Sequence, residues 1–327
     1  MKIALVGDYS SDRDEGLKNI AHYLAEELSK IHRIMRLHVK EVLFPRFWIN
    51  LRKFHPEIIH YIPGPTVISF LIVKTIKLYS GAKTVMSAPQ PRVSNFWQKL
   101  ISLLKPDLIL TQSEEFEERC TNWGCKTRFL PNGVNTKKFA PASRKEKKKL
   151  REKFGIDQEK FTILHVGHIM KRRNLGVLAK IQGGDNQVVI VASEYLETDH
   201  HLCEGLKETG CVIFKGHIKN IEEIYAMADC YVFPVKKGYT ISTPLSVMEA
   251  MACNLPVISS KFEGLARIFK EDEGLVFAER EEDFIQDVEN LKSSNKRIRN
   301  REKILPYSWR NVAMQLSSIY DEVFVER

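Results

Sequence analysis

Three consecutive cations, Lys171-Arg172-Arg173, follow Gly167-His168 at the end of a β-branched run, Ile163 to Val166, and precede a helical pattern at Leu175 to Ile181. Open α/β sheets take ligands at the carboxyl ends of their strands, and cations beside a helix N-terminus neutralise phosphate there. Phosphate binding is therefore expected of Gly167, His168, Lys171, Arg172 and Arg173, the alternative being an ordinary charged surface loop. A second helix start is written in Ser242-Thr243-Pro244-Leu245, whose backbone N–H groups would face a phosphate or a sugar. The helix that follows carries a single acid, Glu249, flanked by Met248 and Ala250. A carboxylate in apolar surroundings is costly unless it accepts hydrogen bonds, and ligand hydroxyls would supply them.

Other chemistries find less support. The first loop, Gly7 to Gly16, lacks the G-x-G-x-x-G spacing of dinucleotide sites, so NAD is not expected. Gly16 would let a substrate approach the backbone, or it simply starts a helix. His60 ends a β-branched run and is a candidate catalytic group, with a structural histidine as the competing reading. The six cysteines are scattered without a C-x-x-C pair, and His200 and His201 are adjacent, so they would point apart on a helix. No metal and no cofactor is expected.

These residues need strands to carry them. Apolar runs at 3–6, 58–62, 84–86, 108–110 and 128–130 alternate with helical patterns at 17–31, 67–78 and 93–104. The alternation then restarts with runs at 163–166, 188–191, 212–214, 230–233 and 257–259, separated by helical patterns at 175–181, 221–227 and 245–252. That is α/β architecture: two Rossmann-like, doubly wound parallel-sheet domains, facing a cleft. The 327 residues suit two full cores. We place an N-terminal domain at 1–140, a basic linker at 141–159 and a C-terminal domain at 160–307. The net charge of +9 favours an anionic partner, yet seven cations fall in the run 144–153, which reads as a solvated linker helix or a binding patch. Nucleic acid is not expected, because the cations lack interleaved aromatics or a recognised motif.

The set Gly167-His-Ile, Tyr225-x-x-Ala-Asp229, Phe233-Pro234, Pro244-x5-Glu249-Ala-Met-Ala, Leu255-Pro-Val-Ile and Gly264-Leu resembles the retaining glycosyltransferases of family 4, with the GT-B fold. The likeness runs from the first strand through Pro131-Asn-Gly-Val134 to Tyr307-Ser-Trp309. It implies a C-terminal domain that binds a nucleotide-diphosphate sugar, an N-terminal domain that binds an acceptor glycan or lipid-linked sugar, no required metal, and residues from about 308 joined to the N-terminal domain. By position, Glu249 would hold ribose hydroxyls, while His168 and Arg173 stand where the family grips the diphosphate. Arg173 and Lys171 would stabilise the leaving group. The chain departs from the family at Ile241, where a glutamate is usual, and at the fourth strand, Val85-Met-Ser-Ala-Pro, which has no histidine. A non-catalytic nucleotide- or glycan-binding protein on the same fold is the alternative these departures raise.

Location is read from apolar patterning. The stretch Val67 to Leu78 is interrupted by Lys74 and Lys77 and is too short to span a bilayer, and the start of the chain lacks the pattern of a signal peptide. A cytoplasmic protein is expected. Arg92 to Lys105 would place Val93, Phe96, Trp97, Leu100, Ile101 and Leu104 on one face beside basic residues, and Phe44 to Phe54 repeats that mixture. Such helices bind the inner face of an anionic membrane, or pack their apolar face on their own sheet.

Overall fold

The computed structural model describes residues 1–10, 15–193, 198–236 and 242–325. It divides into two compact units: Met1–Gly133 with Thr240–Thr243 and Trp309–Arg327, and Val134–Tyr239 with Pro244–Ser308. Ile241 lies outside the described residues, as do residues 11–14 of the first loop.

Unit one runs β1 (Lys2–Gly7), α1 (Gly16–Leu28), β2 (Arg33–His38), α2 (Pro45–Phe54), β3 (Ile58–Tyr61), α3 (Val67–Ser80), β4 (Lys83–Ser87), α4 (Gln98–Leu104), β5 (Leu108–Thr111), α5 (Glu114–Asn122) and β6 (Thr127–Phe129). Its strands are parallel in the order β2-β1-β3-β4-β5-β6. Chain direction across the sheet thus reverses between β1 and β3. Central strands of such a sheet are covered on both faces, which is why Ile3-Ala4-Leu5-Val6 is apolar at every position and wholly buried. Helix α3 is set by Thr66 and Ser69, which cap each other's backbone N–H, and it stops at Gly81 with φ +69°.

Unit two runs α6 (Arg144–Phe154), β7 (Phe161–Val166), α7 (Gly176–Ile181), β8 (Asn186–Ala192), α8 (His200–Glu208), β9 (Val212–Lys215), α9 (Ile221–Met227), β10 (Cys230–Phe233), α10 (Leu245–Ala252), β11 (Val257–Ser259), α11 (Glu263–Ile268), β12 (Leu275–Phe277), α12 (Glu281–Ser293) and α13 (Asn300–Ile304). Its parallel strands are ordered β12-β11-β10-β7-β8-β9, so the reversal falls between β7 and β10. The last helix, α14 (Trp309–Val325), belongs to unit one. A Cβ on Gly133 would lie 2.5 Å from the Trp309 ring, so only glycine lets α14 seat there.

Three elements differ from the sequence reading. Strand β2, Arg-Ile-Met-Arg-Leu-His, was not expected, because it is an edge strand with one buried side chain and no apolar run. The basic run is not a free linker. It forms α6 of unit two, capped by Ser143 and Glu146, and its Arg151 is buried, donating to the carbonyls of Met227 (3.1 Å), Gln158 (3.2 Å) and Lys160 (3.3 Å) and to Asp229. The segment expected to be one helix from 93 to 104 is helical only from Gln98, after a 3₁₀ turn at Asn95–Trp97. Arg119 holds its start extended by donating to the Val93 carbonyl and to Asn95 Oδ1. Val93 and Ile101 are buried, whereas Phe96 is 84% and Trp97 41% exposed.

Candidate active site

The carboxyl ends of β7 and β10, the reversal point of unit two, carry the strongest cluster. Strand β7 ends at Val166, and Gly167 continues its ladder by donating to the Val191 carbonyl at 3.0 Å. Lys171–Arg173 then forms a 3₁₀ turn, closed by Asn174 in the left-handed conformation at φ +51°. The Lys236 N–H, just past β10, donates to the Arg172 carbonyl at 3.1 Å and joins the two strand-end loops. Lys171 and Arg172 are exposed, while His168 is half-buried. Arg173 turns inward, 7% exposed, with its guanidinium carbon 5.0 Å from the centre of the Phe233 ring. That contact fixes the plane of the cation while leaving its charge in place.

Phe233 is one of a row of stacked rings. It lies 5.6 Å from His165 and 6.2 Å from Tyr231, and Tyr231 lies 5.8 Å from Tyr225. The Tyr225 hydroxyl in turn donates to Glu249 Oε2 at 2.9 Å. Alternate residues of β10 place Tyr231 and Phe233 on one face of the sheet. His165 adds no charge, because burial pushes its pKa down to about 3, and its Nδ1 donates to the Val232 carbonyl at 2.9 Å. Burial pushes the half-buried Glu249 carboxyl up to about 7, against the Tyr225 hydrogen bond that lowers it. The acid therefore holds its proton to a higher pH than an exposed glutamate does.

Several expected site residues are placed differently. Thr243 is committed to unit one in a closed ring: its hydroxyl donates to Gln112 Oε1 (2.8 Å), Gln112 Nε2 to Asn132 Oδ1 (2.8 Å), and Asn132 Nδ2 to the Thr243 carbonyl (2.9 Å). Ser242 is buried beside it. Pro244 has no N–H and so gives an anion no backbone donor; the helix α10 opens at Leu245. His60 has no exposed surface, and both of its ring nitrogens are hydrogen-bonded, so it cannot touch a substrate. Gly16 opens α1 after an extended Glu15. Sequence reasoning missed Phe233 and Tyr225 as supports, although both lie in the quoted motif segments. Asp229, from the same segments, is structural: it takes Lys147 Nζ at 2.7 Å and the Thr162 N–H at 2.8 Å.

Residues 146–304 match the family model of glycosyl transferases group 1. The chain is 24% identical to a D-inositol 3-phosphate glycosyltransferase of Paenarthrobacter aurescens over 77% of its own length and 64% of the relative's. It is 25% identical to the sulfoquinovosyl transferase SQD2 of Arabidopsis thaliana, over 71% and 48% respectively. It therefore spans 64% and 48% of the lengths of these two relatives. Among solved structures, a glycosyltransferase from Rickettsia africae superposes with a TM-score of 0.80 at 16% identity, covering 100% of this chain and 99% of that one. Anabaena Alr3699/HepE in complex with UDP and glucose superposes with a TM-score of 0.78 at 11% identity, covering 98% and 100%. The fold is GT-B, two Rossmann-like units with six-stranded parallel sheets.

Proposed function

We propose that the chain is a glycosyltransferase that moves a sugar from a nucleotide-diphosphate sugar to an acceptor, a glycan or a lipid-linked sugar, with retention of configuration. One observation carries the reading: the Lys171–Arg173 turn stands at the reversal point of unit two, seated on the ring row that ends at Glu249. In this reading Glu249 accepts from the ribose hydroxyls, and Gly167 and His168 border the diphosphate. As the C1–oxygen bond breaks, positive charge grows on the sugar and its electron pair goes to the diphosphate. Arg173 and Lys171 stabilise that negative charge, with Arg172 beside them, so the step needs no metal. The acceptor hydroxyl forms the new bond to C1 and gives its proton to the departing diphosphate. Relatives named for inositol phosphate and, in Streptococcus pneumoniae, for a glycosyldiacylglycerol product support an acceptor of the polyol or lipid class.

Membrane association belongs to the same reading. Helices α2, α3 and α4 bury Phe47, Phe70 and Ile101 in one core, while Phe44 before α2, Ile49, Leu71 and the turn residues Phe96 and Trp97 are exposed, with Arg46, Lys74 and Lys99 in the same segments. Exposed aromatic residues with basic neighbours along the chain suit the interface of an anionic bilayer, which would place the protein at the cytoplasmic face of a membrane. No helix among the described residues is long and apolar enough to cross one.

Calorimetry with UDP and GDP tests the nucleotide site. Glu249→Ala is expected to weaken binding by about 1–3 kcal/mol through lost hydrogen bonds to a carboxylate. Unchanged affinity rejects the site. Turnover is tested by nucleotide release from UDP- and GDP-glucose, -galactose and -mannose, with inositol 3-phosphate or diacylglycerol vesicles as acceptors, and no release with any donor removes the enzymatic reading.

A further inference from the structure

His60 lies on β3, inside the sheet of unit one. Its Nδ1 is 2.6 Å from the Tyr320 hydroxyl on α14, and its Nε2 is 2.7 Å from Ser87 Oγ at the end of β4. Burial pushes the imidazole pKa down to about 3, so the ring is neutral and carries one N–H. One hydroxyl must then give its proton to the ring, and the other must receive the ring's.

Tyr320 decides which. It has no exposed surface, and among the described residues its hydroxyl bonds to His60. A buried phenol that only accepted would leave its own proton without a partner, at the cost of an unmade hydrogen bond. Tyr320 O–H therefore donates to Nδ1, the ring proton resides on Nε2, and Nε2–H donates to Ser87 Oγ. The Ser87 proton is left to point away from His60. Ser87 is half-buried at the carboxyl end of β4, beside β3, whose other neighbour is β1 across the reversal point of this sheet. That edge is where a doubly wound sheet takes ligands. Gly64, in the loop after β3, borders it: a Cβ there would come within 3.7 Å of the Ser87 carbonyl.

Resting on the glycosyltransferase reading for the identity of the ligand, we propose that Ser87 is a binding residue whose hydroxyl donates to an acceptor-sugar or polyol oxygen, with His60 and Tyr320 as the positioning residues that hold it as a donor. A side chain from the last helix thereby sets the polarity of a hydroxyl three strands into the sheet. Nothing in the relay titrates near neutral pH, so the polarity is constant across the working range.

Two measurements decide it. In ¹⁵N-labelled full-length protein, the long-range ¹H–¹⁵N spectrum of His60 is expected to show the Nε2–H tautomer, and Tyr320→Phe to populate Nδ1–H. An Nδ1–H tautomer in the unmodified protein overturns the proposal, whatever the enzyme's substrate. In transfer assays with UDP-glucose and inositol 3-phosphate or dioleoylglycerol vesicles, Ser87→Ala and Tyr320→Phe are each expected to raise the acceptor KM about tenfold, with kcat within about twofold. The double variant should match Ser87→Ala alone, because Tyr320 acts through Ser87. Additive losses, or an unchanged KM in Ser87→Ala, overturn the assignment. A protein that releases nucleotide from no donor refutes the glycosyltransferase reading instead, and the tautomer still decides the relay.

Discussion

The Tyr225 hydroxyl donates a 2.9 Å hydrogen bond to Glu249 Oε2 from one end of a row of rings whose other end lies beneath Arg173. The row ties the residue proposed to hold ribose to the residue proposed to hold diphosphate through stacked aromatic surface.

The Glu249 carboxyl, pushed up to about 7 by burial, should make nucleotide binding depend on pH. Ribose hydroxyls need the ionised acceptor, so UDP affinity should fall about tenfold between pH 8 and pH 6, as the acid takes up its proton. Glu249→Gln should bind weakly and without that slope. The sign for folding is opposite to the usual acid: the native state holds this proton more tightly than the unfolded chain does. Its contribution to stability is thus present at low pH and is lost as pH rises toward 7. Thermal melts of both proteins from pH 5 to pH 8 measure the difference.

Arg173→Gln should weaken UDP by about 2 kcal/mol, the range for a charge-assisted hydrogen bond, and leave competition by uridine unchanged. Phe233→Leu removes the face on which the guanidinium rests, together with the ring contacts to His165 and Tyr231, and should cost UDP binding about 1 kcal/mol. Isothermal titration with UDP separates the two.

Asp229→Asn should lower unfolding free energy by about 3 kcal/mol, because the buried Arg151 would lose its counter-charge. Lys147→Ala, which removes a more exposed partner of the same carboxylate, should cost below about 1 kcal/mol. Urea denaturation provides both values, and nucleotide affinity should be unaffected in either variant.

Trp97→Glu and Phe96→Glu should each abolish sedimentation with anionic vesicles at low salt, since both side chains are exposed and neither contributes to the core. Each nearby Lys or Arg adds about 1 kcal/mol of attraction to an anionic surface, so rising salt should also release the unmodified protein. Recovery of that protein wholly in the supernatant at low salt sinks the membrane assignment.

The two parallel sheets were legible in the sequence because strands covered on both faces must be apolar at successive positions, as at Ile3–Val6 and Val188–Val191. The cationic turn was legible for a related reason: Lys171-Arg172-Arg173 directly follows such a strand, and strand ends are where these sheets bind anions. Glu249 stood out as a lone acid on an apolar helix, and chemistry alone says that such an acid needs a partner.

Edge strand β2 escaped notice because a strand with one neighbour needs no continuous apolar run. Only the tertiary structure could assign His60, whose partner on α14 is 260 residues away, or Thr243, whose partner Gln112 is 131 residues away. It alone showed that the helix of the basic run is not a solvated linker but is anchored to unit two by Arg151 and Asp229, 78 residues apart. The division has a single cause. Periodicity and strand-end chemistry are properties of neighbours along the chain, whereas the role of a buried polar side chain is set by whichever distant group folding brings within hydrogen-bond reach.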